Sequence, residues 1–384
     1  MVDRIMFVSN FSADQKKGGW DGINHFLSKS LGEDGHVQYE FINPKEDCRE
    51  VWLSRVEKFF RRPRRFPHFS ESRLQQIARL LPPSNDPLFF FGSTPWVQCK
   101  PSSAYFVYTD ICFDHYVRLY FPNENFCARD VGRIGLLEKE FLLGAKEIFW
   151  GSAWAKAEAE ERYHVEFPNG TILRTGGNLS EDEIHCTGSR PRHKALLFVS
   201  LDFQAKGGFS TFDLFRTLTE RPGFSDWQLW IVGEEPPKEI RTYPGVVYHG
   251  FLDKATLIGS QKLIELYRSA SFLVHLSKMD TMGAVLVEAG YCGLPCFVFD
   301  QFGMPEMLEG CPISVLVEKD NVEDISNLTD KLSRELNRLI AEPSLHDRIS
   351  EHFLNEMSWS ALSRNVWDVI RKETHSVNCR SSRS

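Results

Sequence analysis

The chain has 384 residues, 42% of them hydrophobic and 25% charged, with a formal net charge of -7 at pH 7. That length suggests two or three domains, and the composition is that of a globular protein without long polar tracts. The acidic balance speaks against broad nucleic-acid binding, no apolar run approaches the roughly 18 residues of a membrane span, and nine scattered cysteines without a Cys-x-x-Cys pair point to free thiols in a reducing, cytoplasmic setting.

In chain order, residues 5–9 read as a first β-strand rather than part of a signal peptide, because the apolar core is short and Asp3 precedes it. A loop over 11–22, a helix over 23–31 and a strand over 37–42 follow. Further strands are expected over 88–91, 104–108, 147–150 and 171–174, with a helix over 154–163. The stretch 176–194, rich in Gly, Ser, Pro and charge, reads as a linker. Strands restart at 195–201 and continue over 228–232, 246–248, 272–276 and 296–299; helices are expected over 209–218, 263–270, 285–291 and 325–340. Two successive βα arrays predict an α/β protein with two doubly wound domains, 1–175 and 195–355, facing across a cleft. A helix over 356–375 is expected to return to the first domain, and the small, basic tail 376–384 to be disordered.

The segment Asp280-Thr-Met-Gly-Ala-Val-Leu-Val-Glu288 sets one carboxylate directly after an apolar strand and a second within an apolar helix. Gly283 stands near the start of that helix, and Gly293 and Pro295 at its stop. The intervening loop opens at the carboxyl end of the strand, where open α/β sheets bind ligands. Burying the Glu288 carboxylate without partners costs several kcal/mol, and a pair of sugar hydroxyls would supply them. Earlier in this domain Lys206-Gly207-Gly208 follows a strand and opens a helix. Glycines admit close backbone approach, helix-start N–H groups attract anions, and Lys206 adds a full charge, which together describe a diphosphate cradle. A surface lysine beside a turn is the plainer reading of those three residues alone.

Lys206-Gly207-Gly208, Val232-Gly233, His249-Gly250, Leu266-Tyr267-x-x-Ala270 and Asp280-x7-Glu288-Ala-x-x-Cys-Gly-Leu-Pro together resemble the carboxyl-terminal half of retaining glycosyltransferases of family 4 (group 1). These enzymes have the GT-B architecture, two Rossmann-like domains facing across a cleft. The resemblance covers residues 195–310, with weaker echoes at Gly18-Gly19, Ser152-Ala153-Trp154 and Trp359. It implies a nucleotide-diphosphate sugar as co-substrate, UDP- or GDP-linked, no cofactor, and a carbohydrate, lipid, protein or small-molecule acceptor. It also implies that Glu288 holds the ribose hydroxyls, that Asp280 faces the transferred sugar with the Met282 and Gly283 amides beside it, and that Lys206 and Gly207 bind the diphosphate. Gly18, Gly19, Gly233 and Phe251 complete the expected donor side, and Asp280 and Lys206 are the catalytic candidates there. Two positions depart from the pattern: Leu201 stands where many members carry arginine, and Asp280 where they carry glutamate. Those departures keep open a glycosyltransferase-like binding or scaffold protein without turnover, and a GT-B sugar-nucleotide epimerase is a further alternative. No Asp-x-Asp follows a strand and no zinc-type His/Cys spacing occurs, so no metal is expected.

In the amino-terminal half, Gly18-Gly19-Trp20 either brings amides to a phosphate or acceptor or simply turns the chain from strand to helix. Tyr108-Thr-Asp110-Ile-Cys-Phe-Asp114-His115 leaves the end of a strand, which makes Asp110 and His115 candidates for the acceptor site or for catalysis. Arg61, Arg62, Arg64 and Arg65, with Trp52, Phe59 and Phe60 nearby, read either as a weak contact with an anionic membrane surface or as a solvated loop. Glu306 either lines the nucleotide pocket or serves as a helix-start acid.

Overall fold

Short apolar runs alternating with amphipathic helices are the signature of strands buried on both faces. In the computed structural model, which describes residues 3–186, 192–318 and 324–381, they assemble into two parallel six-stranded sheets. The chain divides into two units, one of Met1–Gln15, Leu27–Arg174 and Ser363–Ser384, the other of Lys16–Phe26 and Thr175–Leu362.

The first unit holds β1 (Arg4–Ser9), β2 (His36–Phe41), β3 (Leu88–Phe91), β4 (Tyr105–Thr109), β5 (Glu147–Trp150) and β6 (Gly170–Ile172) in the order β2-β1-β3-β4-β5-β6. Its helices are the second half of α1 (Gly19–Asp34), then α2 (Cys48–Phe59), α3 (Glu71–Leu80), α4 (Phe113–Tyr120), α5 (Ala128–Gly144) and α6 (Ala153–Tyr163). Phe7 on β1, Phe89 on β3 and Phe149 on β5 lie fully buried, with the Phe7 and Phe89 rings stacked 5.3 Å apart. Within this unit the buried Glu138 accepts hydrogen bonds from Ser93 Oγ (2.7 Å), Thr94 Oγ1 (2.6 Å), the Phe113 amide (2.7 Å) and Tyr163 Oη (2.5 Å). Four donors offset the desolvation of that carboxylate without a cation.

The second unit holds β7 (Ala195–Ser200), β8 (Gln228–Gly233), β9 (Val246–Tyr248), β10 (Phe272–His275), β11 (Cys296–Phe299) and β12 (Ser314–Val317), ordered β12-β11-β10-β7-β8-β9. Its helices are α7 (Glu181–Cys186), α8 (Gly208–Thr219), α9 (Lys238–Arg241), α10 (Leu257–Ser269), α11 (Ala284–Tyr291), α12 (Met304–Met307), α13 (Ile325–Ala341), α14 (Leu345–Met357) and the start of α15 (Trp359–Ser381). The strand order reverses at β7, which pairs with β8 on one side and β10 on the other. Loops leaving the carboxyl ends of β7 and β10 therefore lie at the usual ligand position of an open parallel sheet.

Two segments differ from their sequence reading. Gly176, Gly177 and Asn178, expected in a linker, are buried in the second unit, where the Trp359 indole N–H donates to the Gly177 carbonyl at 2.7 Å. A Cβ on Gly176 would come within 2.5 Å of that indole, so the small residues there serve packing rather than flexibility. Residues 187–191 of the same stretch lie outside the described residues. The tail expected to be disordered continues α15 as far as Ser381, since no Gly or Pro interrupts the chain after Trp359; residues 382–384 lie outside the described residues.

Candidate functional site

At the reversal point of the second sheet, Lys206 and Asp280 meet. Lys206 leaves the loop after β7, and its Nζ donates to Asp280 Oδ2 at 2.8 Å and to the Met279 carbonyl at 2.6 Å. Gly207 follows in the left-handed conformation (φ 83°) as the N-cap of α8. A Cβ there would stand 2.0 Å from the Leu276 carbonyl oxygen, so only glycine lets the β7 and β10 loops close on one another. Asp280 spends its other oxygen on its own helix: Oδ1 accepts the Gly283 amide at 2.8 Å at the start of α11. His275, the last residue of β10 and 2% exposed, brings Nε2 to 3.1 Å from Asp280 Oδ2. Burial raises the Asp280 pKa, but Lys206 and His275 lower it further, and the net position is well below the usual carboxylate range. The Gly283 amide expected beside a sugar is thus donated to Asp280, and Met282 is buried.

Glu288 stands on α11 with 1% of its surface exposed. Lys254 Nζ donates to Oε1 at 2.5 Å, the Asn178 amide to the same oxygen at 3.1 Å, and Tyr267 Oη to Oε2 at 2.9 Å. Burial and the Glu288 charge raise the Tyr267 phenol well above its ordinary pKa, which keeps it a donor. The partners that the sequence assigned to sugar hydroxyls are here protein groups. A ribose would reach Glu288 through its remaining lone pairs or by displacing Lys254.

The other expected donor residues spread around these two clusters. Gly18 belongs to the second unit; a Cβ on it would stand 3.9 Å from Lys254 Nζ. The Gly19 carbonyl, where α1 begins, accepts from Asn178 Nδ2 at 3.0 Å. Gly233 closes β8, and Phe251 is 60% exposed in the loop after β9. Glu306 lies in the first turn of α12. In the first unit, Asp110 follows β4, while His115 on α4 is held by Glu158 Oε2 at 2.7 Å and by an edge contact with Trp154. Among the described residues no group of three or more His, Cys, Asp or Glu is placed to hold a metal ion.

The arginine cluster separates into two pairs. Arg65 binds Glu50 (2.9 Å) and Glu57 (2.8 Å), which lie seven positions apart on one face of α2, and Arg64 binds Glu124 (3.1 Å) and covers the Phe126 ring. Arg61 and Arg62 stay exposed beside Phe59 (80% exposed), Phe60 and Trp52.

Sequence reasoning did not single out Lys254, His275 or Asn178. Tyr267 stood inside a quoted motif without a role. A lysine in a polar loop gives no signal that its amine reaches a glutamate on another helix, and an apolar strand expected over 272–276 gives none that His275 meets Asp280.

Two doubly wound parallel sheets of this order define the GT-B architecture. Among solved structures, WaaG, a glycosyltransferase involved in lipopolysaccharide biosynthesis, superposes with a TM-score of 0.59 at 14% identity, covering 95% of this chain and 99% of that one. The sucrose-phosphate synthase of Thermosynechococcus elongatus superposes with a TM-score of 0.63 at 14% identity over 97% of this chain and 100% of that one. Residues 181–351 form a stretch that matches the family of glycosyl transferases group 1. It contains Lys206, Lys254, Tyr267, His275, Asp280 and Glu288. In sequence the chain is similar to the N-acetyl-alpha-D-glucosaminyl L-malate synthase of Bacillus anthracis, 27% identical over 152 residues, 38% of this chain and 39% of the relative. It is also similar to the phosphatidylinositol N-acetylglucosaminyltransferase GPI3 subunit of Saccharomyces cerevisiae, 26% identical over 144 residues, 36% of this chain and 31% of the relative. The matched part spans less than two fifths of either relative's length.

Proposed function

We propose that the protein is a retaining, metal-independent glycosyltransferase of the family 4 type that moves a sugar from a nucleotide-diphosphate donor to an acceptor. The observation that carries this reading is the meeting of Lys206, Gly207 and Asp280 at the reversal point of the second sheet. Breaking a glycosyl–phosphate bond leaves positive charge on the sugar ring and negative charge on the departing diphosphate. Lys206 would stabilise the diphosphate, the electrostatic kind of catalysis, while the Gly207 and Gly208 amides donate to the Gln204 and Phe203 carbonyls. Asp280 carries a fixed negative charge beside them, suited to a sugar hydroxyl or to the electron-poor ring. The bond from the anomeric carbon to the phosphate oxygen breaks while the acceptor oxygen bonds to that carbon on the same face, and the acceptor proton passes to the departing phosphate oxygen. No second carboxylate is needed as a nucleophile in that course.

UDP- and GDP-sugars are the donors this reading favours, and N-acetylglucosamine is the first sugar to test, because the names of both relatives carry it. Asp110 and His115 assign the acceptor to the first unit. The exposed Trp52, Phe59 and Phe60 beside Arg61 and Arg62 support a weak contact with an anionic membrane surface; no helix among the described residues is long and apolar enough to cross one. The test is release of UDP or GDP from UDP-N-acetylglucosamine, UDP-glucose and GDP-mannose, with and without a panel of acceptors. Lys206→Met and Glu288→Gln are expected to abolish release. Unchanged donor binding in both variants refutes the assignment, and tight donor binding without release under any acceptor favours the scaffold alternative.

A further inference from the structure

Lys254 carries a charge that the proposed chemistry has not used. It sits in the loop between β9 and α10, and that loop is fixed on both sides of it. Asp253 Oδ1 accepts the Ala255 amide at 2.9 Å, and Thr256 caps α10 by accepting the Gly259 amide at 3.1 Å. From this anchor the side chain, 14% exposed, runs inward until Nζ reaches Glu288 Oε1. An ammonium carries three N–H donors, and the contact to Glu288 takes one. The open side of the amine faces Gly18, whose missing side chain leaves ordinary van der Waals space beside it.

The charge balance gives this lysine a place in the donor site. A nucleoside diphosphate brings two or more negative charges, whereas Lys206 already faces Asp280 at 2.8 Å. Leu201, 70% exposed in the loop after β7, adds no charge to that edge. A ribose held by Glu288 carries its phosphates one methylene and one oxygen beyond the sugar ring, a span that the long side chain of a lysine anchored beside that carboxylate can cover.

We infer that Lys254 is a second diphosphate-binding cation of the donor site, held on Glu288 until the nucleotide arrives. This rests on the donor reading above. It gives Lys254 two states: paired with the carboxylate when the site is empty, and shared between carboxylate and phosphate when it is filled.

The experiment is calorimetric titration of the full chain with UDP, GDP, uridine and guanosine. A charge-assisted hydrogen bond contributes about 1.5–3 kcal/mol, so Lys254→Met is expected to weaken the preferred nucleoside diphosphate about 10- to 100-fold. The matching nucleoside should bind as before or more tightly, because Glu288 is released. Lys254→Arg should hold within a few-fold of wild type. Since Lys254→Met leaves a buried carboxylate without its counter-charge, Glu288→Gln alone and Lys254→Met with Glu288→Gln provide a second comparison in which the same diphosphate-specific loss must appear. Equal binding of the diphosphate by Lys254→Met and wild type overturns the inference, as does an equal loss for nucleoside and diphosphate. If Lys206→Met weakens diphosphate binding while Lys254→Met does not, the donor site stands and only Lys254 is misassigned. If wild type binds neither UDP nor GDP, the donor reading falls and this inference with it.

Discussion

Replacing Asp280 by alanine removes the acceptor of three donors at once: Lys206 Nζ, His275 Nε2 and the Gly283 amide. At the 2.8 Å of the lysine contact, a pair of unit charges attracts by about 6 kcal/mol in an effective dielectric of about 20. Both side chains keep partial solvent access, 27% and 19%, so screening and the cost of ordering cut the net coupling to about 1–2 kcal/mol. Loss of the helix-start acceptor adds about 1 kcal/mol. Asp280→Ala should therefore lower the unfolding free energy by about 2–3 kcal/mol, Lys206→Met by about 1–2, and the double variant by about 1–2 kcal/mol less than the sum. Urea titrations of the four proteins, followed by tryptophan fluorescence, give those values from midpoints and slopes. Effects that add within about 0.5 kcal/mol refute the coupling. A second arm follows from the depressed Asp280 carboxyl. Its contribution is complete above the unfolded value of about 3.9 and is lost as pH falls below it toward the folded value, so Asp280→Asn should show a shallower acid limb than wild type. A third arm reads function: with its counter-charge gone, Lys206 in Asp280→Ala should bind UDP or GDP at least as tightly as wild type while sugar transfer collapses.

Gly207→Ala forces a Cβ against the Leu276 carbonyl and a left-handed backbone on a non-glycine residue; it should cost about 2–4 kcal/mol of stability and weaken nucleotide binding, and a wild-type denaturation midpoint would contradict this. His346, whose imidazole donates to the Gly293 carbonyl at 2.7 Å, is pushed by burial and by nearby Arg192 to a pKa of about 4. The unfolded chain therefore binds its proton first as pH drops through about 6.5, and native stability should fall by about 1–3 kcal/mol between there and pH 4, a slope that His346→Gln should lack in melts across that range. Replacing Trp52, Phe59 and Phe60 by serine should reduce co-sedimentation with phosphatidylserine vesicles several-fold without altering nucleotide binding; equal sedimentation removes the membrane contact.

Strands were legible in both units because they are short, mostly apolar runs, and the loops of the second unit carry glycines whose positions are sterically fixed. Those at 88–91, 147–150, 246–248 and 296–299 coincide residue for residue with β3, β5, β9 and β11. Strand order was not legible, since a sequence shows βαβ units but not which strand neighbours which; the reversal at β7, and with it the meeting of Lys206 and Asp280, had to be seen. In the first unit α2 to α5 were missed because their charged and aromatic residues blur the apolar periodicity, even where a cap such as Ser70 at the start of α3 marks a boundary. Glu138 is invisible for a related reason: its four donors come from three separate segments and a sequence gives no hint that they converge. The same holds for Lys254 and Glu288, 34 residues apart in the chain.

The short stretch Lys16–Phe26 has consequences for how this protein can be cut and recombined. It lies early in the chain yet packs with the second unit, where Lys16 pairs with Glu183 at 2.6 Å, the Gly19 carbonyl receives Asn178, and the Phe26 ring stacks on Trp359. A chimaera joined at the apparent linker would import a foreign version of that stretch and leave Asn178, whose amide binds Glu288, without its native support. Exchanging amino-terminal halves between relatives therefore requires two grafts rather than one crossover, which narrows the routes by which recombination can vary this scaffold.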